Sequence, residues 1–236
     1  MTTKFIALVS GKGGVGKTTT TINLGLSLNK QNQRTLLIDG NLVTPNISMH
    51  LGIMKPEGTL NQFLRKEKGI KDIIYLHESG LSLIPSSPSY SEYQKTNVQK
   101  LNRIFEHLQG TTDIVLVDAP SGLGYEVSQV LKHCDEALII VNPNLSSVMD
   151  ALKTIQLAKE HNNIIAGAIL NMTHRGRNEL SQDDIEKIIE VPVLANIKYS
   201  RKFRKAMHKQ APLVHLYPRS REAKEINKVA RYLSLQ

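Results

Sequence analysis

The run Gly11-Lys12-Gly13-Gly14-Val15-Gly16-Lys17-Thr18 constrains this chain more than any other feature. It fits G-x-x-x-x-G-K-[ST], follows the apolar run Phe5–Val9, and precedes a helix-forming stretch with Ile22, Leu24, Leu26 and Leu28. Glycines allow backbone torsions that side chains forbid, so successive N–H groups can turn inward and wrap a β-phosphate. The first turn of the following helix adds positive potential at the same place. Lys17 then neutralises β- and γ-phosphates, Thr18 offers a hydroxyl to Mg²⁺, and Thr19 reaches the α-phosphate. A glycine-rich turn without a ligand is the bland alternative, and it leaves the lysine and threonine offsets unexplained.

A strand, a phosphate-binding loop and a helix imply a particular class of domain, and the rest of the chain carries its pattern. Apolar runs recur at Leu36–Ile38, Leu81–Ile84, Ile114–Val117, Ala137–Val141, Ile164–Leu170 and Val193–Ile197. Runs apolar on both faces are strands buried between helix layers. Between them lie helical stripes such as Leu101-Ile104-Phe105-Leu108 and Ala151-Thr154-Ile155-Ala158. The expectation is a doubly wound three-layer α/β/α fold with a mainly parallel sheet, formed as a single domain over residues 1–236, with ligands at the carboxyl ends of the strands. Pro85-Ser86-Ser87-Pro88-Ser89 reads as a surface loop.

Two aspartates end apolar runs at that edge, Asp39 and Asp118. Both are candidates for the Mg²⁺ site, acting directly or through water, and both could equally cap a helix or turn. After Asp118 comes Ala119-Pro120-Ser121-Gly122, where the glycine is expected to leave a backbone N–H free for a γ-phosphate.

The lone Cys134 forms no intramolecular disulfide, which points to a reducing, cytoplasmic home. No stretch approaches the roughly 18 apolar residues of a transmembrane span, and the N-terminus lacks a signal-peptide pattern. Of the net charge of +9, six cations without an acidic neighbour fall within residues 198–209: Lys198, Arg201, Lys202, Arg204, Lys205 and Lys209. Three readings of this segment stay open: a solvated helix face, nonspecific DNA binding at a nucleoid, or an acidic membrane surface. Tyr199, Phe203, Ala206 and Met207 share one face of it. The final stripe Ala223, Ile226, Val229, Ala230 and Leu233 reads as a helix docked on its own sheet, with a membrane anchor as the alternative.

Lys12-Gly13-Gly14-Val15-Gly16-Lys17-Thr18 resembles the deviant Walker A motif of the MinD/ParA family, most nearly of MinD-like proteins. Leu37-Ile38-Asp39, Asp118-Ala119-Pro120-Ser121-Gly122, Asn142-Pro143-Asn144 and Ala211-Pro212-Leu213-Val214 extend the resemblance over nearly the whole chain. It implies an ATP/ADP-dependent, Mg²⁺-requiring ATPase that closes as an ATP-sandwich homodimer, with Lys12 reaching the partner's nucleotide and Asn171 contacting adenine. An exposed loop lysine is the alternative for Lys12.

The chain departs from that pattern in its first switch. The family's Asp-x-Asp is here Asp39-Gly40-Asn41, and Asn41 can hold a water but cannot take its proton. Slow or partner-stimulated hydrolysis follows. The implied role is a positioning switch for a division site, a chromosome or other cargo, working with a protein activator or cargo adaptor. A hydrolysis-poor scaffold is the alternative. Iron–sulfur carrier relatives would need paired cysteines, and related metabolic enzymes a substrate pocket.

Overall fold

The computed structural model describes residues 2–174, 176 and 178–235. Met1, Arg175, Arg177 and Gln236 lie outside the described residues. The first half of the chain runs β1 (Lys4–Ser10), α1 (Lys17–Asn29), β2 (Thr35–Asp39), α2 (Ile47–His50), α3 (Leu60–Leu64), β3 (Tyr75–Leu76), β4 (Ser82–Ile84), α4 (Tyr90–Gln94) and α5 (Asn102–Leu108). The second continues β5 (Ile114–Ser121), α6 (Tyr125–Leu131), β6 (Glu136–Val141), α7 (Leu145–Glu160), β7 (Ile164–Thr173) and α8 (Gln182–Ile189). It closes with β8 (Val193–Lys198), α9 (Arg201–His208), α10 (Leu213–Leu216) and α11 (Arg221–Ser234).

The strands form one sheet in the order β3-β4-β2-β5-β1-β6-β7-β8. All neighbours are parallel except β3, which pairs antiparallel with β4 at one edge. Every apolar run expected as a strand is one. The two-residue β3 escapes sequence reading because it is too short to show a period.

The alternation within β1 explains the three layers. Phe5, Ala7 and Val9 face a core shared with α3, α5, α6, α7 and α8. Ile6 and Leu8 face a second core shared with α1, α2, α9, α10 and α11. Because period-2 side chains alternate faces, a parallel strand must be apolar on both to be covered on both. Helix α1 is buried almost all round, since it lies between β2 and α11. The connection at Pro85–Ser87 corrects the surface-loop expectation: Pro85, Ser86 and Ser87 are buried. Their polar groups are met internally. Leu60 N donates to the Pro85 carbonyl at 2.8 Å, Ser87 N donates to Asn61 Oδ1 at 2.8 Å, and Ser86 Oγ donates to the Asp39 carbonyl at 2.6 Å.

Helix α11 settles where the C-terminal stripe points. Ala223, Ile226, Val229, Ala230 and Leu233 are all buried against α1 and β8, while Leu235 beyond them is exposed. The helix is docked. Replacing Ile226 with alanine should therefore cost about 2–5 kcal/mol of unfolding free energy in urea titration. A helix held off the domain would show a change within about 0.5 kcal/mol instead.

Candidate functional site

The loop after β1 reaches the carboxyl edge of the sheet's central strands, between β5 and β6. Gly14 and Gly16 take positive φ, 78° and 93°, which ordinary side chains resist. Gly16 is the N-cap of α1, and no side chain caps that helix; its first turn holds no acidic residue. The leading N–H groups thus lack the oxygen that most helices supply themselves, which suits an anion. Close packing fixes the loop at two further points. A Cβ on Gly11 would lie 2.5 Å from the carbonyl oxygen of Asp150 in α7, and one on Gly16 would lie 2.3 Å from Asn171 Nδ2.

Beside the loop, Asp118 is buried within β5, three residues before its end, and gathers three side chains of α1. Lys17 Nζ lies 3.2 Å from Asp118 Oδ1 and also donates to the Ala119 carbonyl. Thr18 Oγ1 donates to Asp118 Oδ2 at 2.5 Å, and Thr21 Oγ1 stands 3.4 Å from Oδ1. Removing one partner of a buried ion pair typically costs about 3–5 kcal/mol, because a buried charge is left uncompensated. The Arg34–Asp113 pair, at 2.7 Å with the arginine side chain more than half exposed, belongs instead to the class worth about 0–1 kcal/mol.

Asp39 pairs with Asp118 across β2 and β5 and is fully buried. Its Oδ2 accepts from Asn46 N and Ile47 N, both at 2.9 Å, and its Oδ1 accepts from Asn41 N at 3.3 Å. Asp39 therefore ties the end of β2 to the loop and to the start of α2. Burial, and then repulsion from Asp118, push its pKa up to about 8 against the Ile47 and Asn46 amides and the Lys17 ammonium.

Two expectations change at this edge. Asn41 borders the cleft, but its amide closes the loop: Nδ2 donates to the Thr44 carbonyl at 2.8 Å and to Thr44 Oγ1 at 3.0 Å, while Oδ1 accepts from Thr44 N at 3.0 Å. Gly122 has the positive φ, 94°, but its N–H donates to the Ser10 carbonyl at 3.0 Å and is not free. The reason is that β5 pairs with β1 as far as Ser121, opposite Ser10, and Gly122 extends that pairing.

Two cavities meet at α1. One of about 600 Å³ is lined by Gly13 to Thr19, Asn41, Val43, Thr44, Asn46, His50, Pro120, Ser121, Glu126 and Met172. A second of about 190 Å³ opens on the other side of Gly16 and Thr19, walled by Asn171, Met172, Lys198, Tyr199, Ser200, Phe203, Arg204 and Met207. Asn171 Nδ2 donates to the Val15 carbonyl at 2.7 Å, so this asparagine braces the loop and borders the smaller cavity together. Lys12 is exposed on the loop, and its carbonyl accepts from Ser10 Oγ at 3.0 Å.

The family model ParA, described as "NUBPL iron-transfer P-loop NTPase", matches residues 1–234. The chain belongs to the MinD/ParA family of P-loop ATPases. An uncharacterised ATP-binding protein of Methanocaldococcus jannaschii is 34% identical over 228 residues, spanning 97% of this chain and 86% of that one. The cell division ATPase MinD of Pyrococcus furiosus superposes with a TM-score of 0.94 at 31% identity, covering 98% of both chains. The septum site-determining protein MinD of Pyrococcus horikoshii, solved with Mg-ADP, gives 0.93 at 30% identity over 98% of this chain and 96% of that one.

As a MinD/ParA member this chain lacks the surface thiols that iron transfer would use. Cys134 is its one cysteine, and it is buried with its pKa raised by desolvation. Among the described residues no three His, Cys, Asp or Glu side chains form a metal cluster. Thr18, Asp118 and Asp39 still fit Mg²⁺, which takes one or two carboxylates and completes its shell with phosphate and water. Two facing carboxylates with a single buried lysine are short of positive charge, which a divalent cation supplies.

Sequence reading missed several lining residues. Met172 sits at φ 56° where the pairing of β7 with β8 shifts register, and nothing in the pattern signals that bulge. His50 arrives from α2 with its pKa lowered by burial, against the charge of Asp118.

A carboxyl whose folded pKa is raised contributes stability at low pH and loses it as pH climbs through the folded value. Without nucleotide or magnesium, the wild type should lose unfolding free energy relative to Asp39→Asn between about pH 5 and about pH 8. Parallel stability–pH curves from urea titration would show that Asp39 is ionised throughout.

Proposed function

We propose that this chain is an ATP-dependent dimerising switch of the MinD/ParA type, loading Mg-ATP with the β- and γ-phosphates at Lys17 and the base in the 190 Å³ cavity. The observation that carries the reading is the uncapped, glycine-led start of α1 beside the Lys17–Thr18–Asp118 cluster. In this reading Lys17 turns from Asp118 to the phosphates, Thr18 offers its hydroxyl to Mg²⁺, and Asp39 and Asp118 hold the ion's waters. Thr19 approaches the α-phosphate.

The face around the cleft supports a second copy as the partner. Lys12 stands exposed on the phosphate loop, and Val43, Leu123, Tyr125, Leu145 and Met149, on the loops and helices that follow β2, β5 and β6, expose 43–61% of their surface. Exposed apolar side chains around a charged centre are common at protein interfaces. A triphosphate held by Lys17 and approached by the partner's Lys12 would make the interface depend on ATP, since a second cation offsets charge that one lysine neutralises only in part. The exposed surface would then recruit a protein activator or cargo adaptor, in the positioning of a division site, chromosome or other cargo.

The engagement of Asn41 with Thr44 favours a second reading, a hydrolysis-poor scaffold that signals through its dimer state. A positioned general base is typically worth about 10²–10⁴-fold in rate, and Asn41 supplies none.

Light scattering on size-separated protein tests the switch. With Mg-ATP the wild type should run as a dimer, with ADP or no nucleotide as a monomer, and Lys12→Ala should stay monomeric throughout while still binding ATP. Equal ATP-dependent dimerisation of the variant would refute the trans contact. On the same samples, single-turnover hydrolysis should be slow alone; rapid unaided turnover would exclude the scaffold.

A further inference from the structure

The basic helix α9 has two working sides. Inward, Ala206 is buried and Phe203 packs on the second core. Along one flank, Arg204 and Met207 wall the smaller nucleotide cavity. The same two residues also join Met49, Met54, His208 and Gln210 around a separate groove of about 410 Å³. Its floor is apolar and open to solvent: Met49, Met54 and Met207 expose 41%, 62% and 48% of their surface. Gly52, at φ 75°, brings the loop after α2 so near that a Cβ there would meet Gln210 Oε1 at 2.6 Å.

The rim is cationic. Arg204 lines the groove, Arg201 and Lys205 stand exposed along the same helix with Lys209 just after it, and Lys55 is exposed beside Met54. Residues 198–209 contain no acidic side chain, and Lys202 is the cation there that pairs with Glu222. Arg204 Nη2 donates to Tyr199 Oη at 3.0 Å, and the Tyr199 ring stacks on His174 with centroids 4.9 Å apart, so the guanidinium is held in place.

We propose that the groove between α2 and α9 is the docking site for an acidic amphipathic helix of a protein partner. Methionine thioethers are flexible and polarisable and accept apolar side chains of varied shape, and a helix presents them at i, i+3, i+4 and i+7. Carboxylates on its other positions meet the cationic rim. A DNA backbone has no group that gains from covering three methionines, and α9 cannot lie in a lipid surface while Ala206 and Phe203 remain docked inward. Both walls of the groove also touch the nucleotide site. Arg204 and Met207 border the base cavity, and α2 hangs from Asp39 through Asn46 N and Ile47 N. Partner affinity therefore follows nucleotide occupancy; this link rests on the nucleotide reading above, whereas the docking does not.

The test is fluorescence anisotropy with a labelled helix-forming peptide, leucine at i, i+3, i+4 and i+7 and glutamate elsewhere. A scrambled peptide of the same composition, a duplex DNA and anionic vesicles serve as competing probes. The wild type should bind the patterned peptide saturably, and the scrambled one about tenfold more weakly. Met54→Glu and Met49→Glu should each weaken the patterned peptide about tenfold while fluorescent-ATP binding and melting temperature stay at wild-type values. No saturable peptide binding, equal binding of the scrambled peptide, or insensitivity to both variants overturns the docking. So does tighter binding of DNA or vesicles that Met54→Glu leaves unchanged. Peptide affinity identical with and without a nonhydrolysable Mg-ATP analogue overturns the link, and failure of the wild type to bind fluorescent ATP counts against the nucleotide reading alone.

Discussion

The buried carboxylate of Asp118 is the point on which the site depends. Three groups of one helix, Lys17, Thr18 and Thr21, converge on it from across the sheet edge. That convergence fixes the start of α1 against β5, and with it the backbone path from Gly11 to Gly16. Facing it, Asp39 adds a second buried carboxylate that the one lysine cannot also neutralise. A protein interior tolerates such an excess of negative charge only where protons or cations relieve it. A divalent cation joined to a phosphate chain, as proposed for this site, would relieve that imbalance.

Asp39 transmits that condition outward. Its oxygens hold the amides of Asn41, Asn46 and Ile47, so the loop between β2 and α2 is anchored on a group whose charge the cleft controls. On the opposite flank, Asn171 braces the phosphate loop at Val15 while bordering the smaller cavity, and α9 supplies that cavity's outer wall. The basic segment thus walls a cavity beside the phosphate loop as well as presenting charge to solvent. Its sequence leaves a solvated face, nonspecific DNA binding and an acidic membrane surface open, and none of these foresees that wall.

The fold was legible wherever strands are central. Runs such as Ile114–Val117 and Ala137–Val141 are apolar on both faces because both are covered, and that pattern survives in the sequence alone. The phosphate loop and both aspartates were legible for a related reason, since a local motif and the end of an apolar run place them without knowledge of tertiary contacts. What escaped depended on hydrogen bonds between distant segments. Gly122 does follow Asp118 at the sheet edge, yet the Ser10 carbonyl takes the N–H that was expected to be free. Asn41 is at the cleft, yet Thr44 takes its amide. Pro85–Ser87 looked like surface because nothing in the sequence shows that Leu60 and Asn61 would satisfy its backbone.

Calorimetric titration with ATP in the presence and absence of Mg²⁺, on the wild type and on Lys17→Ala, tests the central claim most directly. The account predicts one ATP per chain, tighter binding with Mg²⁺, and a loss of at least about 100-fold in affinity for Lys17→Ala, since a buried charge-assisted contact is removed. Equal affinity of the two proteins, or binding indifferent to Mg²⁺, would contradict it.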